Sequence, residues 1–283
     1  MKEYIVYVFW IIFIVVFVEI FSYVLFQDCT QERFVPIKEL VRDYHYFLPQ
    51  KYNLNLIKRN FRSQTGNQNK GSIVFVGSTS LGQKDVKREN TLPYMIYKST
   101  DRSVYRFSNE YFGINNIYSL FEDGFVKDNV KNPEYIVYFY YDEDLGKIVN
   151  CQLNPNTTLM NKRYKINNDL SVKEIKNHFL LLNSLYFVKC LQYFKEKAEL
   201  NFIYDKSEFY LLTYLEKIMD KIKVDYPENT PKTIFLYSSQ DFDTELQEEI
   251  EEMGYILFDV KDVIGERNIL DAEDNKIIAD KLI

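Results

Sequence analysis

Three consecutive hydroxyl residues, Ser78, Thr79 and Ser80, directly follow a short apolar run at 72–77. A run of this kind, closed by a glycine, is typical of a strand buried on both faces of a parallel sheet. Ligands of such sheets bind in the loops beyond the carboxyl ends of the strands. A hydroxyl in that place is a candidate nucleophile for acyl transfer, provided that an adjacent base activates it.

The chain offers few groups that could serve as that base. It has two histidines, His45 in a polar stretch before the first strand and His178 in an apolar segment, where a packed core residue is the more common role. Three acids, Asp142, Glu143 and Asp144, follow a later apolar run. They could accept a proton or bind a divalent cation, although consecutive acids at a strand exit more often form a solvated turn.

The composition excludes several classes of function. Lys and Arg number 35 against 41 Asp and Glu, which gives a net charge of -6 without a basic block for binding nucleic acid. Cys29, Cys151 and Cys190 are too scattered for a disulfide framework, and no CxxC pair indicates zinc. The chain contains neither GxGxxG nor GxxxxGK[ST]. We therefore expect no nucleic-acid partner, no metal and no cofactor.

Apolar runs alternate with helical patterns along the second part of the chain. We predict strands at 72–77, 103–108, 134–144, 233–239 and 255–260, and helices at 91–99, 114–123, 207–222, 243–254 and 275–283. Such alternation predicts an α/β fold with three layers, in which helices cover both faces of a doubly wound, mostly parallel sheet.

The stretch between the third and fourth predicted strands is harder to interpret. Residues 145–170 look like an irregular insertion, since they contain an Asn-Pro-Asn-Thr-Thr sequence. The pattern Ser171-Val-Lys-Glu174 fits a capping box, in which the two side chains bond to the backbone of a helix start. We therefore predict a helix that begins at Ser171 and continues to about Leu200.

The N-terminal segment is a candidate membrane helix. From Tyr4 to Phe26 it carries Glu19 as its single charge, and as a helix it would be ~34 Å long, against a hydrocarbon core of ~30 Å. It exceeds a signal-peptide core and lacks a small-residue cleavage site. We divide the chain into a transmembrane anchor at 1–27, a stalk or linker at 28–70 and an α/β domain at 71–283. Glu19 either contacts a partner helix or reaches toward the interface.

The loops of the α/β domain together resemble the SGNH (GDSL-type) hydrolases. The Gly-Ser-Thr-Ser turn at 77–80 stands where the family has its Gly-Asp-Ser turn, and Thr-Leu-Pro at 91–93 is similar to the Thr-Phe-Pro of membrane-anchored members. Gly113 stands at the position of the oxyanion-hole glycine, and the last helix is similar to the end of the family. The resemblance implies a flavodoxin-like doubly wound fold and acyl chemistry on esters.

Most of the residues that carry that chemistry are replaced. Ser78 and Thr79 stand where the family has its aspartate and its nucleophilic serine. Ser108 stands at the asparagine of the second block, which follows the family's second strand, and a position near Glu143 corresponds to the asparagine of the third block, at the end of the third strand. The family's catalytic aspartate and histidine fall near Arg267 and Ile269. A shifted alignment makes Ser80 the nucleophile, but it does not restore the histidine. The remnant-site candidates are Ser78, Thr79, Ser80, Gly113 and Glu143.

We therefore expect a catalytically degenerate protein with an accessory or binding role in cell-envelope polysaccharide modification. Its partners would be the lipid bilayer, a glycan or envelope polymer and a membrane protein. One alternative is an active esterase or O-acyltransferase that uses a hydroxyl at 78–80 and a base such as His178, Glu143 or Asp271. Another is a membrane scaffold that assembles through its anchor.

The sequence contains two opposing indications of membrane orientation. Lys2 precedes the apolar segment and Arg33, Lys38 and Arg42 follow it, which by the positive-inside rule favours a cytoplasmic body. The resemblance to anchored members that act on surface polysaccharide favours a body outside the cytoplasmic membrane. We expect a single-pass protein with an extracytoplasmic body.

Overall fold

The structure is a computed structural model. The structure describes residues 2–30, 61–67, 70–77, 87–108, 112–140, 143–146, 163–167, 169–175, 191, 198, 202–203, 205–237, 242–264 and 272–282.

One sheet of six strands organises the described part of the chain, and a separate two-stranded hairpin lies beside it. The strands are β1 (Phe61–Gln64), β2 (Ser72–Gly77), β3 (Val104–Ser108), β4 (Pro133–Tyr140), β5 (Arg163–Ile166), β6 (Val172–Ile175), β7 (Lys232–Tyr237) and β8 (Tyr255–Asp259). The order in the large sheet is β1-β3-β2-β4-β7-β8, and β5 pairs with β6.

The helices alternate with these strands. They are α1 (Lys2–Thr30), α2 (Leu92–Thr100), α3 (Ile114–Glu122), α4 (Phe125–Asn129), α5 (Glu143–Gly146), α6 (Ser207–Asp225), α7 (Thr244–Glu252), α8 (Lys261–Ile264) and α9 (Ala272–Leu282). A single 3₁₀ turn at Arg88–Asn90 precedes α2.

The predicted mixed α/β fold with a mostly parallel sheet is confirmed. Within the six-stranded sheet, the pairs β3–β2, β2–β4, β4–β7 and β7–β8 are parallel, and β1 alone runs antiparallel to its neighbour β3. Taken in chain order, the five parallel strands have the spatial order 2-1-3-4-5, which is the flavodoxin-like doubly wound order. The strand order reverses between β2 and β4, which is the place where sheets of this type commonly bind their ligands.

Alternating side chains of the strands build a separate core on each face of the sheet. On one face, Val74, Tyr138 and Phe235 pack beneath α3, α4, α6 and α7. On the other face, Phe75 and Val137 pack beneath α2 and α9. Because β2, β4 and β7 are buried on both sides over most of their length, each contains a nearly continuous apolar run, which is why these strands are recognisable without a period of two.

The predicted helix start at Ser171 is wrong. Val172–Ile175 is a strand that pairs antiparallel with Arg163–Ile166. The Ser171 hydroxyl donates to Asp169 Oδ1 at 2.6 Å, inside the hairpin turn, instead of capping a helix. Leu170 in that turn has φ 60°. Pairing with the partner strand thus overrides the local capping pattern. The rest of the predicted helix, including His178, falls largely outside the described residues.

The sheet also extends into the range predicted as stalk, because β1 lies at 61–64. Gly66 follows this strand where the chain passes very close to the end of α2. A Cβ atom at Gly66 would lie 2.6 Å from the carbonyl carbon of Arg102, and the Gly66 N–H donates to Ser103 Oγ at 3.1 Å. The chain can pass here only without a side chain.

We expect Gly66→Ala to lower the free energy of unfolding by about 1–3 kcal/mol, since backbone atoms must move to admit the methyl group. Denaturant unfolding followed by circular dichroism measures the loss. Ser63→Ala, at an exposed position of β1, is the matched control and should leave stability nearly unchanged. Equal effects of the two substitutions would mean that β1 and its turn contribute nothing to the folded body.

α1 is a long helix whose side chains are described from 6 to 22. Nearly all of its apolar side chains in that range are exposed, and Trp10, Phe13, Phe17 and Phe21 form a ridge of neighbouring rings along one side. Taken over the described residues, none of the helices is both long and apolar enough to cross a membrane.

Candidate functional site

The carboxyl ends of β2, β3 and β4 form the edge where a ligand site is expected. The register places Gly77 of β2 beside Ser108 of β3 on one side and beside Phe139 of β4 on the other. The three strands therefore end at about the same level. The predicted hydroxyl residues at 78–80 follow Gly77 directly in the sequence.

The structure locates only some of the predicted site residues. Ser78, Thr79 and Ser80 lie outside the described residues, as do His178 and the candidate base Asp271, so their mutual geometry stays a prediction. His45, Arg267 and Ile269 also lie outside them. Glu143 begins α5 and is described only in its backbone.

Gly113 is described fully, and it is buried at the N-terminus of α3. Its N–H donates to Oδ1 of Asn116 at 2.9 Å, in a buried hydrogen bond. Its carbonyl accepts from the N–H of Asn116 at 3.0 Å, which starts the helix. An amide N–H has one hydrogen to donate, so the group that an oxyanion would need already has an internal acceptor.

Ser108, at the position of the family's second-block asparagine, lies at the end of β3. Its side chain is 5% exposed, and its hydroxyl has no hydrogen-bond partner among the described residues. Phe107 and Phe112, on either side of it in the chain, are both buried. Serine is shorter than asparagine and has no amide N–H, so it does not reproduce an asparagine donor at this place.

Asp144 departs from the expected solvated turn. It lies in α5, directly after β4, and its side chain is 1% exposed. Burial raises the pKa of the Tyr138 phenol well above its usual value of 10.0, and the nearby Asp144 carboxylate raises it further. Asp144 thus belongs to the packed interior at the carboxyl edge. The acids at the strand exit are not all solvent-facing.

Aromatic rings close the same edge on the α6 side of the sheet. Phe242, which follows β7, stacks on Tyr237 with 4.8 Å between ring centroids and lies 5.6 Å from the ring of Tyr140. These rings make this part of the edge largely apolar.

The last helix is fixed to the start of α2. The Asn275 side chain donates from Nδ2 to the backbone carbonyl of Asn90 at 2.8 Å, and both Asn275 and Asp274 are buried. This contact links the two segments that flank the family's site, the one after the hydroxyl loop and the one after the loop near Ile269.

Two cavities in the described part of the chain lie at the opposite edge of the sheet. One, of about 340 Å³, is lined by Lys70, Arg102 and Tyr135 over apolar side chains, and another, of about 710 Å³, lies along 131–134 and 225–232. Both therefore adjoin the amino ends of the strands. Among the described residues no group of His, Cys, Asp and Glu side chains is placed to hold a metal ion.

Sequence reasoning missed two residues of the carboxyl edge. Asn116 occupies the third helical position after Gly113, where a polar side chain commonly bonds back to the N-cap amide, so the Gly-x-x-Asn spacing was a usable signal. Burial of Asp144 had no such signal, since it depends on how α5 packs against α6.

Comparisons with known proteins concern the fold. No family model matches the chain, and no curated protein matches it in sequence. A lipolytic protein of the G-D-S-L family from Desulfitobacterium hafniense DCB-2 is similar with 13% identity and TM-score 0.37, over 75% of this chain and 98% of that chain. The lipase Lip_vut3 from a goat rumen metagenome has 11% identity and TM-score 0.42, over 75% of this chain and 96% of its own. An esterase domain from Rhodothermus marinus has 8% identity and TM-score 0.30, over 78% and 96%.

Proposed function

We propose that this protein is a membrane-anchored, SGNH-hydrolase-like protein that has lost ester catalysis. In this proposal its body lies outside the cytoplasmic membrane and binds or positions a glycan during modification of cell-envelope polysaccharide. The observation that carries the loss of catalysis is the hydrogen bond from the Gly113 N–H to Asn116 Oδ1.

Stabilisation of an oxyanion is commonly the largest single contribution to acyl transfer, and removing one donor costs about 10²–10³ in kcat. Here the amide at the glycine position is already bonded, and the neighbouring asparagine position holds Ser108. The sequence also lacks a histidine near Ile269, so no base of the expected type stands where a hydroxyl would need one. A protein that lacks both the donor to the oxyanion and the histidine base is expected to retain little ester hydrolysis.

We expect the full-length protein to hydrolyse p-nitrophenyl acetate and acetylated oligosaccharides no faster than buffer does. Ser78→Ala, Thr79→Ala and Ser80→Ala should then all behave like the parent protein. Ser99→Ala, at an exposed position of α2 far along the helix from the site, is the control. Hydrolysis that one substitution at 78–80 abolishes and Ser99→Ala preserves would establish the alternative, an active esterase with a relocated base.

The accessory role has a separate readout, because a binding protein should retain ligand without turning it over. Full-length protein in nanodiscs would be titrated with acetylated and unacetylated cell-wall oligosaccharides by calorimetry. Binding without hydrolysis supports the proposed role. The scaffold alternative predicts a different result. The protein would neither bind nor hydrolyse the oligosaccharides, and a membrane protein would co-purify with it only while Glu19 is intact.

The proposed anchoring rests on the apolar sequence from Tyr4 to Phe26, which extends beyond the side chains of α1 that the structure describes, and on the exposure of the apolar side chains between 6 and 22. Large apolar surfaces exposed to this extent mark contact with lipid or with protein. In water such a helix would expose a nearly continuous apolar cylinder, whereas in a bilayer the same side chains would contact lipid. A helix also satisfies its own backbone hydrogen bonds, as the interior of a bilayer requires.

We expect the full-length chain to stay in the membrane fraction after carbonate extraction. The double substitution Ile12→Lys and Val16→Lys should release it, since each charge at a helix centre costs about 2.5–3.5 kcal/mol of insertion free energy. Ile12→Leu and Val16→Leu is the matched control and should remain bound. A parent chain that is extracted by carbonate would overturn the anchor.

A further inference from the structure

The sheet face beneath α2 and α9 ends in a cavity at the amino edge. The register places Ile73 of β2 opposite Tyr135 of β4, and Tyr135 opposite Lys232 of β7, so these three side chains share one face. α2 ends at Thr100 and α9 ends at Leu282, and both residues line the cavity of about 340 Å³. The cavity therefore lies between the first row of the strands and the ends of the two covering helices.

The floor of this cavity is apolar. Ile73, Ile96, Val137 and Ile234 line it, and all four belong to the core beneath α2 and α9. Ile73 and Ile234, at 7% and 8% exposure, are the least covered of the buried residues in that core. The volume admits about ten CH₂ groups, since each takes roughly the ~30 Å³ of a water molecule. The floor thus fits the apolar part of a small amphiphile.

The rim of the cavity is cationic. The guanidinium carbon of Arg102 lies 5.6 Å from the centre of the Tyr135 ring, and Nζ of Lys232 lies 5.8 Å from the same centre. Lys70 also lines the cavity. Glu134 pairs with Arg102 and offsets one of these three positive charges. An excess of positive charge therefore borders the apolar floor.

Arg102 is the group of the rim that is best suited to hold an anionic head. Its Nη1 donates to Oε2 of Glu134, and a guanidinium has five N–H donors, so it has donors beyond the one that this pair uses. The planar fork also matches the two oxygens of a carboxylate. Lys70 instead donates from Nζ to the carbonyl of Thr100 at 2.9 Å, at the C-terminus of α2.

We propose that this cavity binds an amphiphilic carboxylate, with an apolar chain of about ten carbons against the floor and the carboxylate on Arg102. A neutral chain would leave the cationic rim without a counter-charge, and a cationic amphiphile would be repelled by it. The cavity lies at the opposite end of the strands from Gly113 and Ser108. The proposal therefore does not depend on the presence or loss of ester catalysis.

A pair of probes that differ in head charge tests the class of ligand. Decanoate and decyltrimethylammonium would be titrated by calorimetry into the full-length protein in nanodiscs, and empty nanodiscs measure the partition of each probe into lipid. After this partition is subtracted, we expect a saturable site for decanoate and none for the cation. Absence of a saturable decanoate site, or equal binding of the two probes, would overturn the proposal.

Matched substitutions test the place of binding. Leu282→Trp should abolish saturable binding of decanoate, because the larger side chain fills the cavity from the end of α9. Ile277→Trp, at an exposed position of the same helix that does not line the cavity, should bind decanoate like the parent chain.

Arg102→Gln tests the contact with the head and does not depend on the fold of the tryptophan variant. It should raise the Kd of decanoate by at least about tenfold, whereas Lys98→Gln, at an exposed position of α2, should leave the Kd unchanged. Circular dichroism shows whether each variant is folded. Unchanged affinity in Arg102→Gln, or in a folded Leu282→Trp, would place the decanoate elsewhere and overturn the proposal.

Discussion

We expect Phe235→Ala to lower the free energy of unfolding by about 3–5 kcal/mol, which is a large part of the stability of a typical domain. Phe235 is 0% exposed at the centre of the sheet. Its ring lies 5.4 Å from that of Tyr138, 5.5 Å from that of Tyr140 and 6.0 Å from that of Tyr255. Truncation removes all of these contacts and leaves a cavity that close-packed rings fill poorly.

The measurement is denaturant unfolding of the full-length protein, followed by near-ultraviolet circular dichroism of the tyrosines. A loss of this size should also lower the midpoint of thermal unfolding by about 10 °C. Phe209→Ala is the control, because Phe209 is 40% exposed on α6. If both substitutions cost the same, the aromatic face of the sheet would not be the core that stabilises the body.

The strands around Phe235 are also the part of the fold that the sequence predicts best. The run at 72–77 is predicted to the residue, and those at 233–239 and 255–260 correspond to strands at Lys232–Tyr237 and Tyr255–Asp259. The first two runs are buried on both faces, so nearly every residue in them is apolar, and burial produces the signal that the sequence shows. The strand β8 lies at the edge of the sheet, with Ile256 exposed, and it is recognisable because its first four residues are all apolar or aromatic.

β1 and the β5–β6 hairpin show where such reasoning fails. Phe61–Gln64 has only one apolar residue, and it becomes a strand because β3 offers an unpaired edge. Ser171 and Glu174 fit a helix cap as well as a strand after a turn, and only the pairing of Val172–Ile175 with β5 decides between them. Neither partner can be inferred from residues close in sequence, since the pairing is a tertiary contact.

The candidate site is predictable in outline from the strand ends, but its bonding is not. The resemblance places Gly113 at the candidate site, and in the structure Gly113 is the N-cap residue of α3. That its N–H is bonded to Asn116 depends on the backbone conformation at the N-cap and on the rotamer of a buried side chain. Both are results of packing against the sheet, which a family pattern does not contain.

The second large effect is a loss of stability in alkaline solution. Burial raises the pKa of Tyr118 to about 12 and moves the pKa values of Tyr138, Tyr164, Tyr214 and Tyr255 further upward from 10.0. In the unfolded chain these phenols lose their protons near pH 10, whereas in the folded body they keep them. Their contribution is therefore complete below pH 10 and is lost as pH rises above it, by about 1.4 kcal/mol per pH unit for each such tyrosine.

We expect the protein to unfold cooperatively between about pH 10 and pH 12, with stability unchanged from pH 7 to pH 9 as far as the tyrosines are concerned. The absorbance of tyrosinate and the circular dichroism signal should change together, because the buried phenols ionise only when the body opens. Ionisation of all tyrosines with the circular dichroism signal intact would contradict the burial of this cluster.

Tyr214→Phe and Tyr255→Phe separate ionisation from hydrogen bonding within the same cluster. The Tyr214 hydroxyl has no hydrogen-bond partner among the described residues, so its removal should leave stability at pH 7 nearly unchanged. The Tyr255 hydroxyl donates to the carbonyl of Leu215 at 2.9 Å, and its removal should cost about 1 kcal/mol at pH 7. Both variants should lose stability less steeply above pH 10, by up to about 1.4 kcal/mol per pH unit, since each lacks one phenol that ionises only on unfolding. If the Tyr214→Phe variant loses unfolding free energy above pH 10 as steeply as the parent chain does, the phenol of Tyr214 reaches water in the folded body.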